Sequence, residues 1–196
     1  ASYVYIKQQE RVSLEWLKVR AGKMENKFSR QRRNFLKKYL FLGTFVAAEW
    51  LLPSQSYSNC NLTPRESAGP FYPLNYPSDQ DNDLTYLKDK SKKANGEIIY
   101  INGIVKDDNC QPISKAIIEI WQACATGRYN HPEDRNPAEL DPNFQYWGKA
   151  VTNVHGEYRF KTIKPGSYPA SWLWTRPPHI HFTVRSSKHS ELTTQM

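Results

Sequence analysis

The chain has 196 residues, enough for one domain with a sizeable core and short of two comfortable ones. Its formal charge of +8 is uneven: residues 1–50 carry 11 Lys/Arg against 4 Asp/Glu, whereas residues 51–196 carry 16 against 15. A nearly neutral body argues against a nucleic-acid partner, which calls for a basic face on the domain itself, and thirteen prolines argue against a mostly helical fold, because proline lacks the N–H a helix needs.

Residues 1–23 precede Met24 and are expected to be upstream sequence outside the working protein. From Arg30 to Ala48 the chain reads RQRRNFLKKYLFLGTFVAA, a charged segment followed by a short apolar run, Tyr39 to Ala48, interrupted by Gly43 and Thr44. That is the secretory pattern, and the run is shorter than the roughly 20 apolar residues of a membrane span. Arg32 and Arg33 open an R-R-x-F-L-K order similar to the bacterial twin-arginine export signal, although Gln31 stands where that signal has a small hydroxyl residue. Residues 24–58 are therefore expected to engage export machinery and send the chain to the periplasm; a basic amphipathic surface helix is the alternative. Cys60, Cys110 and Cys124 form no C-x-x-C pair, which speaks against a zinc knuckle, and in an exported protein Cys110–Cys124 is the candidate disulfide.

Residues 59–95, rich in Ser, Asn, Asp and Pro, are expected to form an extended arm containing LTPRESAGPFYP. Strand signals begin at EIIYINGIVKD (97–107) and continue in KAIIEIWQA (115–123), where Ile118, Ile120 and Gln122 alternate with Ile117, Glu119 and Trp121. A long loop over 125–147 follows. GKAVTNVHGEYRFKTI (148–163) predicts two strands joined as a hairpin at His155-Gly156. KPGSYP (164–169) reads as a turn and HIHFTVRS (179–186) as the last clear strand. Short strands at this spacing predict a mainly β fold, a β-sandwich or barrel, over 96–196. The chain stops at ELTTQM with no closing turn, so the sandwich is expected to be incomplete at its C-terminus.

Two of the five histidines stand in TRPPHIHF, at His179 and His181. On a strand, side chains two apart share a face, about 7 Å apart along the backbone. Such a pair suits two ligands on one metal, each imidazole neutral; two hydrogen-bonded histidines on a half-exposed face are the bland alternative. The histidine–cysteine–cysteine pattern of zinc deaminases is absent. No acid follows closely enough for the cupin pattern or the two-histidine, one-carboxylate ferrous triad, since the next glutamate is Glu191. Tyr129, in ATGRYNHP, and Tyr168, in IKPGSYP, are ordinary packing candidates by themselves, but phenolate oxygen is a hard donor suited to ferric iron.

Taken in order, GRYNHPEDRNPAELDPNF, WGKAVTNVHGEYRFKTIKPGSYP and RPPHIHF, with LTPRESAGPFYP before them, resemble the intradiol ring-cleavage dioxygenases over about residues 60–196, and among them the protocatechuate 3,4-dioxygenase β chain. The resemblance implies a β-sandwich with a non-haem Fe(III) held by Tyr129, Tyr168, His179 and His181. It further implies that Arg176 stabilises charge on the ring and that Tyr168 takes part in proton transfer. The implied reaction opens a catechol-type substrate with O2 to a cis,cis-muconate, in a homo- or hetero-oligomer; no further cofactor is implied. Three departures bear on the substrate. Thr175 separates Trp174 from Arg176, the Tyr168–His179 interval is short, and Tyr146 and Trp147 put bulk before Gly148, where it is expected to reshape the pocket. The alternative is a non-catalytic, transthyretin-like β-sandwich binding module.

Overall fold

Strand-forming segments rich in isoleucine and aromatic residues build the fold, and the computed structural model describes residues 5–8, 60–171 and 173–196. The twin-arginine-like segment lies outside the described residues. The strands are β1 (Tyr5–Gln8), β2 (Ile98–Lys106), β3 (Ile117–Trp121), β4 (Trp147–Val151), β5 (Glu157–Ile163), β6 (Tyr168–Ser171), β7 (Trp174–Arg176), β8 (His181–Ser186) and β9 (His189–Gln195). Among the described residues there is no helix. One sheet has the order β1-β2-β5, a second β4-β3-β8-β9, and β6-β7 form a separate hairpin; every pairing is antiparallel.

The two larger sheets share one core. Ile101 and Val105 of β2, Tyr158 and Phe160 of β5, Ile118 and Ile120 of β3, and Phe182 and Val184 of β8 all contribute to it. The alternation expected for β3 holds: Ile118 and Ile120 enter the core, while Glu119 and Trp121 face the other way and are buried too. They are buried because the arm crosses that outer face. Glu66 N–H donates to the Thr193 carbonyl, and Ala68, Phe71 and Tyr72 pack against Trp121. The Tyr72 hydroxyl donates to Glu119, whose other oxygen meets Arg185.

Four expectations need correction. The segments around His155-Gly156 are not a hairpin, for β4 pairs with β3 in one sheet and β5 with β2 in the other. Asn153 and Gly156 do form a tight turn, but Thr152 N–H donates to Ala116 O and Val105 N–H to Gly156 O, so the turn carries the chain between sheets. The bridge is Cys60–Cys110, and Cys124 is a buried free thiol. Cys110 precedes β3 and Cys124 follows it, and an extended strand rising about 3.3 Å per residue holds them beyond disulfide reach. The turn at 164–169 ends early, since Tyr168 already begins β6. A further strand, β9, follows β8 and pairs with it from His181↔Gln195 to Ser186↔His189.

Candidate active site

The site forms on the outer face of the second sheet, where β8 begins. Ile180 exchanges two backbone hydrogen bonds with Met196, which extends the β8–β9 ladder one residue beyond β8 proper. Ile180 therefore enters the core, and His179 and His181 share the opposite face with ring centroids 4.9 Å apart. The Trp121 indole lies flat on His181, 4.9 Å away at an interplanar angle of 7°. On the arm, Gly69 has φ +68°, and a Cβ there would stand 3.3 Å from His181 Cε1. Glycine thus serves both the left-handed turn and the close approach to the imidazole.

Tyr129 comes from the long loop after β3. That loop is held by side chains that satisfy its backbone: Asp134 accepts from Tyr129 N–H and Asn136 N–H, and Asn136 accepts from Ala138 N–H. Tyr168 opens β6 and sits directly across from Arg176 on β7. The four side chains converge. Tyr129 and Tyr168 meet edge to face at 5.6 Å, Tyr168 and His179 are 5.6 Å apart, and the Tyr129 hydroxyl lies 3.3 Å from His179 Nε2. Phe71 of the arm walls the cluster, 4.8 Å from Tyr129 and 6.2 Å from Tyr168.

The electrostatics follow from burial. Burial lowers both histidines, with His179 and Arg176 adding to the effect at His181, whose pKa falls to about 3; both rings are neutral near pH 7. The His179 Nδ1–H donates to the Pro177 carbonyl at 2.7 Å, which leaves its Nε2 lone pair facing the phenols. His181 Nδ1 is buried without a hydrogen-bond partner among the described residues. Burial, and then the charge on Tyr168, pushes Tyr129 far above the usual tyrosine range. Burial also raises Tyr168, but Arg176 and the Tyr129 hydrogen bond act against it. Two neutral imidazoles and two phenols with suppressed ionisation are a donor set for a hard cation, which reverses the suppression by binding phenolate oxygen. Among the described residues no cluster of three His, Cys, Asp or Glu side chains is placed to hold a metal.

Gln195 was not foreseen from sequence. It pairs with His181 across β8–β9, accepts from the Arg176 guanidinium and donates to Ser67 O at 2.8 Å. It thereby ties the arginine to the arm. Recognising the alternation in HSELTTQ as a strand would have set Gln195 opposite His181. Tyr146 does not reshape the site: its ring lies in the core and its hydroxyl accepts from Asp141 N–H. Trp147 belongs to the aromatic layer with Trp121 and Tyr76. A cavity of about 710 Å³ lined by Asn82, Asn102, Lys149, Asn153, Tyr158 and Arg159 shares no residue with this cluster.

A protein-family profile described as Dioxygenase matches residues 67–196. The protocatechuate 3,4-dioxygenase β chain of Burkholderia cepacia is 41% identical over 138 residues, covering 67% of this chain and 57% of the relative. This chain belongs to the intradiol dioxygenase family. The catechol 1,2-dioxygenase of Acinetobacter baylyi is another intradiol relative, 31% identical over 150 residues, covering 69% of this chain and 46% of that enzyme. An intradiol ring-cleavage dioxygenase structure from Tetranychus urticae superposes with a TM-score of 0.53 at 26% identity, covering 70% of this chain and 64% of that one. The chain thus spans about half the length of the curated intradiol relatives it matches.

Proposed function

We propose that this intradiol-family domain opens a catechol-type aromatic ring with O2 at a non-haem Fe(III) centre, giving a cis,cis-muconate-type product. The observation that carries the proposal is the convergence of Tyr129, Tyr168, His179 and His181 into one buried cluster, with Arg176 across from Tyr168. The residues fit such an ion through their chemistry, two phenols and two neutral imidazoles. When bound, Fe(III) supplies the electron-withdrawing acidity that opens a catechol ring to O2.

The chain's own residues do the rest. Tyr168 sits across from Arg176, whose charge opposes the effect of burial on its ionisation, and its Oη, held as phenolate when a cation is bound, is the group we assign to receive a proton from a substrate hydroxyl. Arg176, permanently cationic and held by Gln195, faces the charge that develops on the ring. Fixed charge in a dry site is often the largest catalytic contribution. Phe71, Trp121 and Gly69 pack against the cluster. The non-catalytic alternative is not favoured by family membership.

We also propose export through the twin-arginine-like segment 24–58. The Cys60–Cys110 disulfide supports an oxidising compartment.

The test is spectroscopic and catalytic. Iron-loaded protein should show the visible tyrosinate–Fe(III) band and consume O2 with catechol. Tyr129→Phe and Tyr168→Phe should each shift or bleach that band and cut turnover strongly. If both variants keep the wild-type spectrum, the ligand assignment is wrong.

A further inference from the structure

We propose that Trp174 is a stacking platform at the site's mouth that selects catechols bearing a second flat, apolar ring, an inference that rests on the proposed ring-opening activity. β7 is three residues long, and alternation along it puts Trp174 and Arg176 on one face. The Arg176 face is the one turned to the site, since its guanidinium reaches Gln195 and its charge acts on Tyr129, Tyr168 and His179. Trp174 therefore continues that face outward by about 6.6 Å, two residues of strand rise, roughly the length of an aromatic ring.

The indole is available for such a role. Trp174 is 56% exposed, and its cross-strand partner is the small Ser171, beside a register shift in β6. Leu173, next to it at the hairpin tip, is 75% exposed. The β6–β7 hairpin pairs with neither larger sheet, so among the described residues no third strand is bonded to it. Tyr168 pairs with Arg176, two residues from Trp174, so on the proposed activity a catechol whose hydroxyls face Tyr129 and Tyr168 would extend its far end along β7 toward the indole. The Arg176 guanidinium, two residues along the strand, already bonds to the Gln195 side chain. An aryl group gains an offset or edge-to-face contact with Trp174.

The experiment compares 4-phenylcatechol with catechol on the iron-loaded 196-residue chain and on its Trp174→Ala and Trp174→Phe variants. Turnover is measured in air and equilibrium binding by calorimetry without O2. In Trp174→Ala the ratio of kcat/KM for the aryl substrate over catechol should fall about three- to tenfold, the range an aromatic pair supports. The anaerobic affinity ratio should fall in parallel, and Trp174→Phe should keep most of both. An unchanged ratio, or equal losses on both substrates, overturns the role of Trp174. If the wild-type chain binds both diols and opens neither, the proposed activity falls while the affinity ratio still decides the platform; if it binds neither diol, both proposals fall.

Discussion

Gly127 and Gly166 lie against one another where the loops carrying Tyr129 and Tyr168 cross. A Cβ on Gly166 would stand 2.4 Å from Gly127 N, and one on Gly127 would stand 2.1 Å from Ser167 O. Both amides donate to a single acceptor, the Cys124 carbonyl, at 2.9 and 3.0 Å. Each tyrosine follows its glycine by two residues, so this backbone contact sets the spacing of the two phenols.

Gly166→Ala should therefore damage the site through the backbone. The added methyl forces the loops apart, at a cost of about 1–3 kcal/mol in line with local backbone strain. Thermal melts should show a lower Tm, and the iron-to-protein ratio after loading should fall. A variant with wild-type Tm and full iron would show that the crossing does not set the phenols.

The Cys60–Cys110 bridge closes a 50-residue separation and fixes the start of the arm to the turn between β2 and β3. Reduction, or Cys60→Ser, should lower stability by about 2–4 kcal/mol. Urea unfolding with and without dithiothreitol measures this. Coincident midpoints would mean the arm is held by its other contacts alone.

Arg176→Ala should keep the visible iron band while lowering kcat by about 10²–10³, the size seen when one preorganised charge or donor is removed. Gln195→Ala should give a smaller loss, because the guanidinium remains but is no longer tethered to Ser67. Loss of iron with an unchanged rate per iron would make Arg176 structural.

The H-x-H pair was legible because alternation is local: Ile180 had to enter the core, so its neighbours had to leave it. The β3 pattern was legible for the same reason. The sheet assignment of β4 and β5 was not, since the Asn153–Gly156 turn has hairpin chemistry and only contacts to Ala116 and Val105, far away in sequence, separate the strands. Cys60–Cys110 was illegible likewise, for nothing near Cys60 announces where the arm runs. The burial of Glu119 on an outward face was hidden too, because the arm that covers it arrives from 47 residues upstream.

Stability should also fall at low pH through Asp83. Burial acts to raise its carboxyl, but Lys161 and Thr85 outweigh that, and its folded pKa lies below the ordinary value of 3.8. A depressed carboxylate pKa contributes stability that is fully present above the unfolded value and is lost as pH falls through the folded one. The loss should therefore appear below about pH 4, and Asp83→Asn should flatten that part of the stability curve. An identical acid limb in wild type and variant would assign the loss to other groups.

The arm's course has a consequence for the order of folding. Arg65 meets Glu191, and Gln195 meets Ser67, across separations of 126 and 128 residues, so this wall of the site closes only when segments far apart in sequence are brought together. Closing so long a loop carries an entropic cost that local contacts do not. The β2–β5 and β3–β8 ladders span about half that separation, so they are expected to form before contacts of this range. A cation that needs Tyr129, His179 and His181 at once then has affinity for the native state alone. Its binding draws the folding equilibrium toward that state by mass action.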